Sequence, residues 1–477
     1  MKSYNTPVYD AIRKYTGSSP VPFHMPGHKL GRGIPGDFLH NLAALDLTEI
    51  PGTDNLHHPT GPIKEAQELA AAAFGSDRTY FLVNGSTGGI HTIISTICKP
   101  GQKLIVTRDC HKSVFGGMLL AGAEPVFVMP EYNKEFGIMS NVSPEAVDKA
   151  FRQNPEAVGI LITRPNYYGV CCDIESIAGV VHSYGKILAV DEAHGAHLRF
   201  NKKLPACAMD AGADICVQSA HKTLPAFTQG SYLHVKSSKI DLEKLEFNLD
   251  ILQTSSPSYI IMAFLDIARE LMQRDGERLL DNVISEIRSF GNKAAGIDGL
   301  RFLKEKDIRG GRLDETRITA SFEGLGINGR TAQQLLRSDY GIQVEMSDFS
   351  NIVAIATTAD GRETLELLFE GIIGISKKYG SKKRLERPLK DGFEAPPALL
   401  GYKAALDGKH EYVSLDEAAG RISGCIAAPY PPGIPLFLPG ELILPDTVGY
   451  LKQIISCGGD VDGLDELSRV RVCCTPT

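Results

Sequence analysis

The sequence predicts an α/β protein built on a mainly parallel sheet. Short apolar runs recur at Tyr80–Val83, Leu104–Val106, Pro125–Val128, Val158–Ile162, Ile187–Val190, Ile215–Val217 and Tyr232–Val235, with helical patterns between most of them. Runs of this length and composition read as strands buried on both faces, and strands alternating with helices read as βα units. Polar residues able to carry chemistry gather just after the runs, at Asn84–Thr87, Arg108–His111, Thr163–Tyr168, Asp191–His194 and Ser219–Lys222. In an open parallel sheet this is where a site belongs, at the C-terminal ends of the strands.

The remaining elements follow in order. Residues 1–20 read as an N-terminal arm, with a short amphipathic segment between Pro7 and Pro20, and Phe23-His24-Met25-Pro26-Gly27-His28-Lys29 as a loop. From Pro62 a helical pattern ends at Gly75, a natural residue for a helix C-terminus. Asn84-Gly85-Ser86-Thr87-Gly88-Gly89 reads as a glycine-rich turn opening the helix Ile90–Ile97; backbone N–H groups and the Ser86 and Thr87 hydroxyls suit it to an anion. Helical periodicity covers Ile260–Leu271 and resumes over Asn282–Ala294. Beyond it, the strands Arg317–Phe322 and Ile352–Ile355 alternate with the helices Arg330–Ser338 and Arg362–Ser376, as in a smaller α/β unit. The basic run from Lys377 through Lys382 and Lys383 to Arg384 reads as a solvated linker face. A third unit follows, carrying Pro429-Tyr430-Pro431-Pro432-Gly433-Ile434-Pro435 and Pro439-Gly440-Glu441.

At 477 residues the chain is too long for one core, and it divides into the arm 1–20, a large domain 21–280, a small domain 281–385 and a C-terminal domain 386–477. Hydrophobic residues make up 43% and charged residues 22%, as in a soluble globular protein. No apolar run is long enough for a membrane span, and the N-terminus shows no secretory signal, so a cytoplasmic protein is expected. Ten cysteines form neither a disulfide framework nor a CxxC zinc pattern. A net charge of −7 without a long basic block argues against nucleic acid or an anionic membrane as partner, and is compatible with a cationic substrate.

Three of the strand ends make a set. Lys222, in Ser219-Ala220-His221-Lys222-Thr223, offers an amine to an aldehyde; Asp191 offers a carboxylate to a pyridine nitrogen; Ser86, Thr87 and Gly88 offer an anion cradle. Pyridoxal 5′-phosphate needs those three together. His111, after another strand, is placed to stack on such a ring. Asp191 also has a plain reading as a helix-capping residue, and His111 as a satisfied core histidine. A rival reading takes Asp191, His194 and His197 as D-x-x-H-x-x-H metal ligands of a zinc hydrolase, but it leaves Lys222 and the glycine turn unexplained and supplies no general base. The expectation is therefore no metal.

The ordered motifs FHMPGHK, LVNGSTGG, RDCHKS, PNYYGV, DEAHGAH, QSAHKTLPAFTQ, TSSPSY and PYPPGIPLFLPGE, spread from residue 23 to 441, resemble the Orn/Lys/Arg decarboxylases, the group III pyridoxal-phosphate decarboxylases of the aspartate-aminotransferase fold (fold type I). The resemblance implies a large cofactor-binding domain, a small α/β domain and a C-terminal α+β domain. It implies decarboxylation of a basic L-amino acid: arginine to agmatine first, then lysine to cadaverine, then ornithine to putrescine, within polyamine biosynthesis. Carried over by motif, Lys222 resembles the cofactor-bearing lysine, Asp191 the partner of the pyridine nitrogen and His111 the stacked residue. Ser86, Thr87, Ser219 and His221 fit the phosphate and its surroundings, and Lys222 and His221 are candidates to reprotonate the substrate carbon. His194 stands where longer members often have Trp. Ser255 and Ser256 resemble residues serving the neighbouring subunit's cofactor, which implies a homodimer, or a tetramer built from it, with shared sites. Glu441 is the expected carboxylate for the substrate's cationic side chain. Because FHMPGHK begins at residue 23, the extra N-terminal domain of the long members, and the large rings it builds, are not expected. Aminotransferases and β-eliminating lyases share the fold, so fold alone does not choose the reaction.

Overall fold

The computed structural model describes residues 5–294, 296–380, 384–387, 395–430, 433–456 and 458–474. Lys382 and Lys383 of the basic run and the Pro431-Pro432 pair lie outside the described residues.

Seven strands form the central sheet: β1 (Arg78–Leu82), β2 (Lys103–Thr107), β3 (Glu124–Val128), β4 (Gly159–Thr163), β5 (Ile187–Asp191), β6 (Ile215–Gln218) and β7 (Ser231–Val235). Their order is β1-β7-β6-β5-β4-β2-β3. All neighbours pair in parallel except those of β7, which runs antiparallel to both β6 and β1. The sheet is therefore mainly parallel, as expected. Its strands read as continuous apolar runs because both faces are covered. Ile105, Ile160, Ile162, Leu188, Val190 and Cys216 join one buried cluster, and Leu104, Val106, Leu161, Ala189, Ile215 and Val217 join another on the opposite face.

The glycine-rich segment differs from the expected turn. The helix begins at Gly85, so Ser86, Thr87, Gly88 and Gly89 form its first turns, with Asn84 in the N-cap position. Gly85, at φ +67°, makes the sharp exit from β1 that a side chain would resist. Gly89 is needed for packing: a Cβ there would lie 2.6 Å from Val217 Cγ2 and 2.7 Å from Leu82 Cδ1. The anion-binding potential survives the change, since the first turn of a helix leaves its N–H groups without intrahelical partners.

The two expected helices at 260–271 and 282–294 are one helix of 36 residues, Tyr259–Ala294. It crosses position 280 without a break and serves two cores: Leu280 and Ile284 join the large one, Val283 and Ile287 the smaller. The smaller core lies under an antiparallel sheet of β8 (Arg301–Phe302), β9 (Arg317–Ser321), β10 (Met346–Ser347) and β11 (Asn351–Ile355), ordered β8-β9-β11-β10. The helices Gly329–Tyr340 and Arg362–Tyr379 contribute Leu336, Leu365, Leu368 and Ile372 to that core. The C-terminal part has its own buried cluster around Phe437, Leu451, Val470 and Val472, and its Leu438 reaches the core of the large sheet. No helix among the described residues is long and apolar enough to cross a membrane.

Candidate active site

Parallel strands place their C-terminal ends side by side, and this brings the predicted residues together. Asp191 ends β5 in register with Thr163 of β4 and Val217 of β6. One residue beyond β6, Ser219 opens the short helix Ala220–Thr223 that carries His221 and Lys222. Ser219 Oγ lies 2.7 Å from Ser86 Oγ, joining the Lys222 turn to the first turn of the Gly85 helix. Gly27 holds the FHMPGHK loop against the same turn: its N–H donates to His221 O at 2.7 Å, and a Cβ there would stand 2.6 Å from Leu224 O.

Asp191 is buried and Lys222 half-buried in the site. Burial lowers the pKa of Lys222, Asp191 and Glu345 oppose that shift, and Arg317 reinforces it. Burial raises the pKa of Asp191 while Lys222 draws it down. The two groups therefore act on each other as anion and cation in a medium that disfavours both charges. Asp191 also keeps its plain role, since its Oδ1 accepts the Ala193 N–H at 3.1 Å. Behind it, Glu192 pairs with Arg164 at 2.9 Å and accepts from Gln218 Nε2 at 2.7 Å, fixing the chain immediately after β5.

Three histidines surround Lys222, and burial first of all depresses the pKa of each. His111 is pushed down to about 4, with the Lys222, Lys112 and His91 charges adding to burial. It is the N-cap of the helix Lys112–Ala121, and its Nδ1 accepts from Ser113 N–H at 3.2 Å. His221 is also lowered to about 4; its Nδ1 lies 3.0 Å from Gly230 O, and a carbonyl only accepts, so the neutral ring carries its proton on Nδ1. His194 is lowered well below the ordinary histidine range by burial, Lys222 and Arg317, and its Nε2 sits 3.1 Å from Lys222 Nζ. The Tyr167 ring stands over it at 5.0 Å between centroids.

The D-x-x-H-x-x-H reading is overturned by the directions these side chains take. His194 turns to Lys222, whereas His197 Nε2 lies 3.2 Å from Asp314 Oδ2 and 3.1 Å from Thr316 Oγ1. Burial raises the Asp314 carboxyl, but His197, Arg317 and Thr316 prevail and hold it at about 2. Among the described residues no three His, Cys, Asp or Glu side chains are grouped as a metal would require.

Glu441 also departs from expectation. Its carboxylate is buried and accepts from Arg108 Nη2 at 3.0 Å and from Leu438 N–H at 2.7 Å. Arg108 further donates to Pro435 O at 2.8 Å, so the pair bolts the proline-rich turn to the end of β2. A carboxylate engaged in this way is a structural counter-ion and not an open acceptor for a substrate cation. Glu441→Gln is expected to cost about 3–5 kcal/mol of stability, because it breaks a buried ion pair by removing the charge of one member. Urea denaturation measures this; an unchanged midpoint together with a raised KM for a basic amino acid would return Glu441 to the substrate pocket.

Ser255 and Ser256 are exposed. Two charged residues near Lys222 went unread in the sequence. Glu345 follows the strand Ile342–Val344, and its Oε2 accepts the Met25 N–H at 2.8 Å; a carboxylate one residue past an apolar strand was the available signal. Arg317, at the start of β9, donates from Nη2 to His194 Nδ1 at 3.2 Å. Nothing in the sequence near Arg317 points to His194, 123 residues away.

These residues fit pyridoxal phosphate: a half-buried amine of lowered pKa, a buried carboxylate one strand away, and hydroxyls at a helix N-terminus, tied to the Lys222 turn by the Ser86–Ser219 hydrogen bond.

Comparison with known proteins agrees. The description "Orn/Lys/Arg decarboxylase, major domain" matches residues 6–311, and "Orn/Lys/Arg decarboxylase, C-terminal domain" matches residues 396–466. The arginine decarboxylase of Bacillus anthracis is 36% identical over 98% of this chain and 97% of its own length. That of Bacillus subtilis (strain 168) is 34% identical over 99% of this chain and 98% of its own. Among solved structures, lysine decarboxylase A from Pseudomonas aeruginosa superposes with a TM-score of 0.77 at 21% identity, covering 99% of this chain and 78% of that one.

Proposed function

The chain belongs to the Orn/Lys/Arg decarboxylase family, and from that premise we propose that it is a cytoplasmic enzyme converting L-arginine to agmatine and CO2 with pyridoxal phosphate as cofactor. The observation that carries this reading is the meeting of Lys222, Asp191 and the Ser86–Ser219 pair at adjacent strand ends, in a chain whose full-length relatives include arginine decarboxylases.

Bound pyridoxal phosphate supplies the electron sink for the pair left on the substrate Cα as CO2 departs. The rest is done by this chain. Lys222 Nζ, whose pKa burial lowers, would be the group to hold the cofactor through its uncharged form. Asp191 would hold a proton on the ring nitrogen, because an anion at that strand end would make the protonated ring the stable one. Ser86, Thr87 and Ser219 would hold the phosphate at the helix N-terminus, with His221 beside them, whereas the Gly88 N–H is turned to Asn84 O at 3.4 Å. His111 would cover a ring face. Lys222 would be the candidate to return a proton to the substrate carbon, through its ammonium form; His221 is less suited, since its N–H is spent on Gly230 O.

A cationic substrate needs anions near its path, and Glu345 takes the role expected of Glu441: it is half-buried and its charge bears on Lys222 and Arg317. A CO2-release assay on arginine, lysine and ornithine at equal concentration tests the substrate. Arginine is expected first, with Glu345→Gln raising KM about tenfold or more, the loss of one charge-assisted contact. Preference for lysine would overturn the choice of substrate, and an unchanged KM would remove Glu345 from it.

The site is shared between two copies in this reading, in a homodimer or a pair of dimers. Exposed Ser255 and Ser256, flanked by exposed Phe247 and Ile251, suit a surface that a second copy covers. Inactive Lys222→Ala chains mixed with inactive Ser256→Tyr chains should then regain part of the activity. An active monomer by light scattering would sink the shared site.

A further inference from the structure

Arg317 is a fully buried guanidinium placed by packing. Gly169, at φ +86°, leaves room for it: a Cβ there would fall 2.7 Å from Arg317 Cβ. Its Nε and Nη1 have no hydrogen-bond partner, and its Nη2 is turned onto one residue, 3.2 Å from His194 Nδ1 and 3.2 Å from His194 O. We propose that Arg317 is a positioning residue that fixes His194 as the Nε2–H tautomer, so that the imidazole presents an N–H donor to Lys222 Nζ. The inference rests on the reading that Lys222 is the amine that carries the cofactor.

A guanidinium has donors only, so the imidazole nitrogen facing it must be the acceptor. The single proton of the neutral ring then lies on Nε2, 3.1 Å from Lys222 Nζ. An Nε2–H in turn requires a lone pair on Nζ, which only the uncharged amine has. One orientation of Arg317 thus sets the proton of His194 and selects the reactive form of Lys222. Lys222, Arg317, His111 and His221 all disfavour an imidazolium at His194. At Lys222 burial and Arg317 favour the uncharged amine, against the opposing pull of Asp191 and Glu345. The burial of His194 and the direction of its pKa shift support the neutral ring.

The test is nitrogen NMR of the holoenzyme with 15N-labelled histidine, the His194 signals being identified by their loss in His194→Gln. The parent is expected to show a protonated Nε2 and an unprotonated Nδ1 on His194. Arg317→Met should give a mixture of tautomers or a charged ring, and Arg317→Lys, which keeps a donor, should restore the parent pattern at least in part. A parent carrying its proton on Nδ1 overturns the proposal whatever the variants do. So does a folded Arg317→Met protein with an unchanged pattern. Should Arg317→Met not fold, the parent and Arg317→Lys spectra decide. The tautomer is read without turnover, so a chain inactive on every basic amino acid would overturn the proposed function and leave this result standing.

Discussion

Lys222→Ala is expected to abolish decarboxylation, by on the order of 10^4-fold or more, while the protein still folds. Among the described residues, Nζ has a hydrogen bond with His194 Nε2 and none with the backbone. Burial of an amine disfavours its charged form, so removing it relieves a cost that offsets part of the lost packing. The helix Ala220–Thr223 keeps its tie to the FHMPGHK loop through backbone atoms that alanine leaves in place. Activity and thermal denaturation together check this. A variant that is inactive because it is unfolded would show that Lys222 is a structural residue.

Asp191→Asn is expected to lower the rate about 10^2 to 10^3-fold, the range for removing one preorganised electrostatic partner of a reacting centre. The amide keeps the shape, and its oxygen still accepts the Ala193 N–H, so the end of β5 should hold. What goes is the negative charge. That same charge raises the pKa of Lys222, so its loss leaves the Lys222 amine even more readily uncharged and able to take up the cofactor. The expected protein is therefore yellow and nearly inactive. Activity close to the parent's would mean that another group holds the ring proton.

Much of this site was legible because strand ends repeat. A buried parallel strand writes a short apolar run, and Asp191, Lys222 and His111 each stand just past one. What the sequence concealed is instructive in three places. The stretch 272–281 read as a gap between helices; it lies inside one helix, in which Gly276 is a notch where a Cβ would come within 3.1 Å of Phe200 Cβ and of Met272 Cε. Glu441 read as an open carboxylate because its counter-ion, Arg108, stands 333 residues earlier. Arg317 read as an ordinary strand residue, since only the packing of β9 against the DEAHGAH segment turns its guanidinium to His194. In all three, a contact distant in sequence or a packing notch decided the outcome, and local pattern carries neither.

The chain holds a second amine of lowered pKa, and it gives the central claim its sharpest test. Lys29 is pushed down to about 8 by burial, against the pull of Asp360 and Glu345, but its Nζ is occupied by His24 O at 2.9 Å and Ile355 O at 2.8 Å. That arrangement makes Lys29 a clamp between the FHMPGHK loop and β11, whereas Lys222 Nζ lies against the His194 imidazole. Borohydride reduction of the holoenzyme, followed by peptide mass spectrometry, reads which amine holds the cofactor. The account predicts one pyridoxyl group per chain, on Lys222; a group found on Lys29, or on no lysine at all, would contradict it.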